Sequence, residues 1–239
     1  ENAMRVNGRI VFVGPGVMAE AMLTGLLEKS IVEPAQVLMS GPTGARLEEL
    51  AGRYAVGTTA DNHAAVQGAS VVVLSVKPQS LGRAARSVDG ALPADALLLS
   101  IVAGAPLDTL ARLFRAQAIV RAMPNTPAQV GQAISVWTHT PQTTPRQQAT
   151  ARGMLSAFGH EVYVEEEDYL DMATALSGTG PAYVYLFMEA QVDAGVHMGF
   201  PRRIAEQLVV ETVKGSVSYY EHSPRHFARL RGPGKRGTA

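Results

Sequence analysis

The stretch RIVFVGPGVMAEAMLTGLL, residues 9–27, joins a strand, a turn and a helix in one line of sequence. Residues 9–14 are β-branched and aromatic, as a buried strand requires. Residues 17–30 then carry Met18, Ala21, Met22, Gly25 and Leu26 on one helical face. Between them Gly14-Pro15-Gly16-Val17-Met18-Ala19 reads G-x-G-x-x-A, the dinucleotide fingerprint in its required strand–turn–helix context. Gly14 allows the tight turn, Gly16 lets backbone approach a pyrophosphate, and Ala19 is small enough for close helix–strand packing. The helix start offers free N–H groups and the positive end of its dipole to the phosphates. A tight βα turn without a ligand fits the same letters, so context carries the reading.

Outward from this stretch the pattern repeats. Strand-like runs fall at 36–40, 70–76, 96–102 and 118–124, with helical segments at 44–54 and 106–114. SVVVLSV (70–76) and ALLLSIV (96–102) are nearly apolar throughout, the mark of strands covered on both faces. Repeated β–α–β units predict an α/β Rossmann domain, a doubly wound parallel sheet with right-handed crossovers. Late strands at 133–139 and 161–164, joined by a helix near 144–158, close this domain at residue 164. From 165 the pattern is helical. An acidic start, EEDYLDMATALSG, suits a first helical turn and reads as solvated, and long apolar-periodic runs follow at 181–199 and 201–222, each opening on proline. The chain is thus expected to hold two domains, 1–164 and 165–239, the second all-α and apolar enough to need a second subunit.

Composition excludes several classes. Of 239 residues, 46% are apolar and 18% charged, and 21 basic side chains balance 21 acidic ones. No global field draws the chain to nucleic acid or an anionic membrane; the basic last fifteen residues read as a solvated terminus. With no cysteine there are neither disulfides nor thiolate metal sites, which fits a reducing cytoplasm. Glu1-Asn2-Ala3 before Met4 reads as a cloning remnant rather than a leader, and no apolar run approaches the roughly 20 residues that span a bilayer. His222 and His226 are separated by Ser223-Pro224 and lack a completing carboxylate, so no metal is expected.

At the end of the second strand, NAD-binding chains offer an acid to the ribose 2′-hydroxyl. Here that position reads Ser40-Gly41-Pro42-Thr43, with Arg46 beyond. Hydroxyls and a cation suit a 2′-phosphate, so NADP(H) is the expected cofactor and NAD(H) the alternative. A second glycine stretch, Ser177-Gly178-Thr179-Gly180-Pro181, has no strand before it. It lacks the strand–elbow–helix setting of a hydrolase nucleophile and reads as a break between two helices.

VGPGVMAEAMLTGLL, VVVLSVKPQ, RAMPNTPAQVGQA and TALSGTGPAYVYLFMEAQVDAGVHMGFPR together resemble the Δ1-pyrroline-5-carboxylate reductases from about residue 9 to 222. MPNTP with SGTGPAY is the specific part. The resemblance implies NAD(P)H-dependent reduction of the cyclic imine to L-proline, by hydride transfer to the C=N carbon, and self-association as a dimer or higher homo-oligomer. It also implies the site residues. Gly14, Pro15, Gly16, Val17 and Met18 would hold the pyrophosphate. Ser40, Pro42, Thr43 and Asn62 would meet the adenosine end. Val76, Lys77 and Pro78 would line the cleft, and Met123, Pro124 and Asn125 would approach the nicotinamide. Ser177, Gly178, Thr179 and Gly180 would form the floor of a pocket for the substrate carboxylate, at a helix start facing that cleft.

Departures stand beside the likeness. Val17 replaces the family's polar residue after the glycines. The family's Ser-Pro-Gly-Gly-Thr-Thr-like loop meets RGPGKRGTA here, residues 231–239. An ungapped match puts Gly237 and Thr238 on its last two positions and makes Thr238 the catalytic hydroxyl beside the substrate nitrogen. A gapped match aligns Pro233-Gly234 with Pro-Gly instead. The chain ends where the family carries further helices, so the second domain is expected to be truncated. Two alternatives stay open: a catalytically impaired dinucleotide-binding homologue, and another Rossmann-type imine or hydroxyacid reductase.

Overall fold

Eight strands form one sheet in the computed structural model, which describes residues 6–223 and 226–230. They are β1 (Arg9–Val13), β2 (Val37–Ser40), β3 (Gly57–Thr59), β4 (Ala69–Leu74), β5 (Leu97–Ser100), β6 (Ile119–Met123), β7 (Ala133–His139) and β8 (Gly159–Tyr163). Their order is β3-β2-β1-β4-β5-β6-β7-β8. The chain steps outward from β1 to β3, returns to β4 on the other side of β1, and so makes a topological switch between β1 and β4.

Every neighbouring pair is parallel except β6 and β7, where Ala122 faces Trp137 and Met123 faces Val136. The exception has a simple cause. Only Pro124–Gln132 connects these strands, and a parallel return needs a crossover of a dozen or more residues. The expected parallel sheet is therefore mostly parallel, with one reversal that presents the Pro124–Asn125 turn at its edge.

The helices α1 (Val17–Glu28), α2 (Gly44–Tyr54), α3 (Asn62–Val66), α4 (Leu81–Ser87), α5 (Leu107–Phe114), α6 (Pro145–Ser156) and α7 (Asp168–Ala173) accompany the sheet. Successive strand residues feed opposite faces. Ile10 and Phe12 join one core with Met22, Leu26, Trp137 and Phe158; Val11 and Val13 join the other with Leu74, Leu110 and Phe114. Two cores from one alternation explain why the strands read apolar throughout. Gly25 lets α1 meet the α6 end, since a Cβ there would stand 2.7 Å from the Ala157 carbonyl oxygen. α6 starts at a capping box, Thr144 with Gln147, and Pro145 at its first position.

β3, α3 and α4 are additions to the sequence reading. They hold three, five and seven residues, too few to show a period.

The chain packs as two compact units, the first reaching Pro181 and the second beginning at Ala182. Residues 165–181, read from sequence as the start of the helical domain, pack in the first unit. The cause is Arg121, a buried guanidinium on β6 whose Nη1 and Nη2 hold Glu167 and Asp171 at 2.7 Å each. The acidic stretch read as a solvated helix start is therefore an ion-pair partner. In the second unit most of α8 (Gly180–His197) packs on α9 (Arg202–Glu221) along Val192, Ala205 and Val209, with Gly195 against Ala205. This seam is small, and Tyr183, Tyr185, Leu186, Phe187 and Tyr219 remain exposed. No helix among the described residues is long and apolar enough to cross a membrane.

Candidate active site

At the switch point the first glycine turn is fixed by backbone. Gly14 has φ +104°, and a Cβ there would stand 2.8 Å from the Ser75 carbonyl oxygen. Its N–H donates to the Ser40 carbonyl at 2.8 Å, while the Ser75 N–H and hydroxyl donate to the carbonyls of Val13 and Gly14 at 3.0 and 2.8 Å. The turn is thus strapped to the ends of β2 and β4. Gly16 differs. It caps α1 in extended backbone without a side-chain bond, and a Cβ there would meet only the Ser75 oxygen at 3.9 Å. The protein's own packing does not require glycine at 16, but a phosphate group drawn close to the α1 N–H groups would. Ala19 is fully buried under the turn, Met18 leans on the core, and Val17 is exposed with only backbone to offer an anion.

The β2 end is a brace. Ser40 is fully buried and donates to Asn62 Oδ1 at 2.5 Å; Asn62 Nδ2 donates in turn to Ser87 Oγ at 2.9 Å. Ser40 therefore meets Asn62, not open space, and Asn62 ties β2 to α4. Pro42 and Thr43 are exposed at the start of α2, and Thr43 makes no side-chain cap bond. No carboxylate lies between Ser40 and Thr43.

Arg46 is placed otherwise than the sequence reading expected. Its Nε donates to the Pro15 carbonyl at 3.1 Å, its Nη1 to Glu49 at 2.7 Å and its Nη2 to Glu20. Glu20 also accepts from Arg53 and Tyr54. Burial works to raise the Glu20 carboxyl, but bonds from Arg46 and Tyr54 and the two guanidinium charges outweigh it and hold it below its ordinary value. The Arg46 guanidinium is pushed the other way by its bonds to Glu20 and Glu49.

Beyond β4, Val76 packs on the second core, while Lys77 and Pro78 are exposed and open a short turn closed by Ser80 N–H on the Lys77 carbonyl at 2.8 Å. Beyond β6, Met123 is half-buried and Pro124 and Asn125 are buried. Asn125 Nδ2 donates to the Ser177 carbonyl at 3.1 Å, and its Oδ1 accepts from Ile134 N–H at 3.0 Å. Gly178 lies on Met123, where a Cβ would stand 2.7 Å from the methionine Cε. The MPNTP and SGTGP segments therefore meet, though 52 residues separate Asn125 from Ser177.

The second glycine stretch is not an open loop. Residues Thr174–Gly178 form a π turn that continues α7, and only Thr179 separates it from α8. Thr179 N–H donates to the Thr174 carbonyl at 2.9 Å, five residues back. Such a turn is a recurrent feature of functional sites. The Ser177 and Thr179 hydroxyls donate to the Ala173 and Thr174 carbonyls at 3.0 and 2.9 Å. Their protons are committed to backbone, and their oxygens offer lone pairs only. Gly180 faces open space at its Cβ position. Gly237 and Thr238 lie outside the described residues.

Sequence reasoning missed Ser75, Glu20 and the Arg121 pair. A charged residue inside the apolar run AIVRAMP was a signal, since a buried guanidinium requires partners. A cavity of about 780 Å³ opens at the amino ends of β4 and β5 beside Ser70, Leu97 and Gln117, away from this site.

Two family models match the chain. One, described as NADP oxidoreductase coenzyme F420-dependent, covers residues 9–104; the other, pyrroline-5-carboxylate reductase dimerisation, covers residues 167–233. The pyrroline-5-carboxylate reductase of Synechocystis sp. is 39% identical over 92% of this chain and 81% of its own length. That of Pseudomonas aeruginosa is 38% identical over 93% and 82%. Among solved structures, Plasmodium falciparum pyrroline carboxylate reductase with NADP bound superposes with a TM-score of 0.85 and 28% identity, over 97% of this chain and 87% of that one. At this identity and coverage, the chain belongs to the pyrroline-5-carboxylate reductase family.

Proposed function

We infer that this chain reduces Δ1-pyrroline-5-carboxylate to L-proline, the final step of proline synthesis, with NADP(H) as hydride source. One observation carries the reading beyond kinship. Asn125 bonds the turn after β6 to the Ser177 backbone, which supports reading the carboxyl edge of the sheet and the π turn as parts of one site. The NADP complex of the Plasmodium relative and the absence of a carboxylate from Ser40–Thr43 support NADP(H) over NAD(H).

Gly14, Pro15, Gly16, Val17 and Met18 would hold the pyrophosphate by backbone N–H groups. Pro42 and Thr43 would meet the adenosine end, with Ser40 and Asn62 bracing that wall. Val76, Lys77, Pro78, Met123, Pro124 and Asn125 would line the cleft toward the reacting ring. When bound, the reduced dinucleotide supplies the hydride that adds to the C=N carbon. The segment Ser177, Gly178, Thr179 and Gly180 would form the floor of the pocket for the substrate carboxylate, joined by Gly237. Thr238 would bond the ring nitrogen and favour its protonated, more electrophilic form.

The exposed aromatic and aliphatic side chains of α8 and α9 support self-association, because a seam of Val192, Ala205 and Val209 is too small a core to stand alone. A cytoplasmic location belongs to the same proposal and fits a cysteine-free chain. A binding protein without turnover is the second reading, favoured by RGPGKRGTA where the family has its substrate loop.

Thr238→Ala tests the catalytic assignment. We expect turnover to fall on the order of a hundredfold with NADPH affinity unchanged. An equal loss of both would remove Thr238 from the substrate side.

A further inference from the structure

The dinucleotide reading leaves one cation beside the glycine turn unexplained. Arg46 lies in the first turn of α2, close to where a 2′-phosphate would be met, and its position invites that role. Its bonds point elsewhere. Nε donates to the carbonyl of Pro15, inside the glycine turn, while Nη1 and Nη2 hold Glu49 and Glu20. All three nitrogens of the fork are engaged, and its side chain is 22% exposed beside a Glu20 that is 17% exposed.

Two carboxylates already neutralise this guanidinium, and Arg53 completes a four-charge cluster of net zero. A phosphate dianion brought to Arg46 would also approach Glu20 and Glu49, and like charges at close range repel. Turning the guanidinium away would strip the Pro15 carbonyl of its donor. Pro15 is also held from the other side, since its ring occupies the space a Cβ on Gly41 would need, with its Cδ 2.3 Å from that point. The turn therefore sits between a ring contact on Gly41 and a guanidinium fork anchored on α1 and α2.

We propose that Arg46 is a positioning residue for the glycine turn, set by Glu20, and not the ligand of the dinucleotide's 2′-phosphate. Discrimination between the two dinucleotides then rests on neutral donors, the exposed Thr43 hydroxyl and the first N–H groups of α2. The inference rests on the dinucleotide reading of this site.

The test measures NADPH and NADH affinity by fluorescence, together with melting temperature, for the unaltered chain, Arg46→Ala, Glu20→Gln and Thr43→Ala. We expect Arg46→Ala to weaken both dinucleotides by the same factor, about five- to tenfold, with their ratio unchanged. Glu20→Gln, which keeps the shape of the site, should weaken both equally and less. Thr43→Ala should lower NADPH affinity alone. A loss confined to NADPH in Arg46→Ala, or a gain of NADPH preference in Glu20→Gln, would make Arg46 a phosphate ligand and overturn the proposal. A fall in melting temperature with both affinities intact would overturn it too, by leaving Arg46 only structural. An unaltered chain that took up neither dinucleotide would contradict the underlying reading and this inference with it.

Discussion

Asn125 reaches Ser177 across 3.1 Å, its side-chain amide donating to the serine carbonyl while its own oxygen holds Ile134 N–H at 3.0 Å. One buried side chain thus fixes the turn after β6, the start of β7 and the π turn that follows α7. A residue that reads in isolation as a turn asparagine is the tie between the two halves of the candidate site.

Replacing that tie should separate stability from turnover. Asn125→Ala leaves Ile134 N–H and the Ser177 carbonyl without their partner, and we expect a loss of about 1–3 kcal/mol in urea unfolding. Asn125→Asp keeps an acceptor for Ile134 but turns an oxygen on the Ser177 carbonyl. Its turnover number should fall at least as far as that of the alanine variant, with a smaller loss of stability. Steady-state kinetics beside urea melts distinguish the two.

The glycines of the first turn should behave oppositely. Gly14→Ala forces a Cβ toward the Ser75 oxygen at a φ of +104°, and the backbone conformation alone costs about 1–3 kcal/mol. Gly16→Ala meets nothing closer than 3.9 Å and should fold within about 0.5 kcal/mol of the parent. It should nevertheless bind NADPH at least tenfold more weakly, roughly 1.4 kcal/mol, because the added methyl occupies the approach to the helix start. Calorimetry with a dinucleotide titration checks both.

Much of this fold could be read before any coordinates. β1, β4 and β5 announced themselves because strands feeding two cores have no polar face, and the Gly14 turn because its letters followed a strand. β3, α3 and α4 did not, being shorter than the period that would reveal them. The reversal at β7 was present as the short link Pro124–Gln132, a length that excludes a crossover. Arg121 was visible as a charge in an apolar run, but its partner Glu167 lies 46 residues away, and nothing local names it. Ser177 and Thr179 would turn their hydroxyls to a substrate pocket if the chain broke between two helices at residues 177–180. It continues as a π turn, so their protons find carbonyls four and five residues back.

The Arg121 pair should dominate the response of the first unit to mutation. Its guanidinium side chain is 5% exposed, and Glu167 also accepts from Leu107 N–H at the start of α5 at 2.7 Å. Glu167→Ala leaves a buried cation with only the exposed Asp171, so we expect a loss of about 3–5 kcal/mol. Arg121→Met, which removes the charge along with its need for a partner, should lose clearly less. Thermal melts of the two variants decide the order.

Acid should act through Glu20. Its folded carboxyl titrates below the ordinary value of 4.5, so its contribution is complete above that value in the unfolded chain and is lost as pH falls through the lower folded one. Melting temperature should drop on acidification below about pH 4.5. Glu20→Gln should flatten that slope and lower the melting temperature near neutrality, where the ionised carboxylate contributes. A parallel slope in the variant would assign the acid sensitivity to other carboxylates.

On the function proposed above, the two glycine segments serve one reduction. Oxidation of NADPH by the full-length protein, followed at 25 °C with Δ1-pyrroline-5-carboxylate as substrate and L-proline measured as product, tests it most directly. We expect stoichiometric loss of NADPH and gain of L-proline, dependent on both substrates. Tight NADPH binding with no proline formed would contradict the enzyme reading and leave a dinucleotide-binding protein in its place.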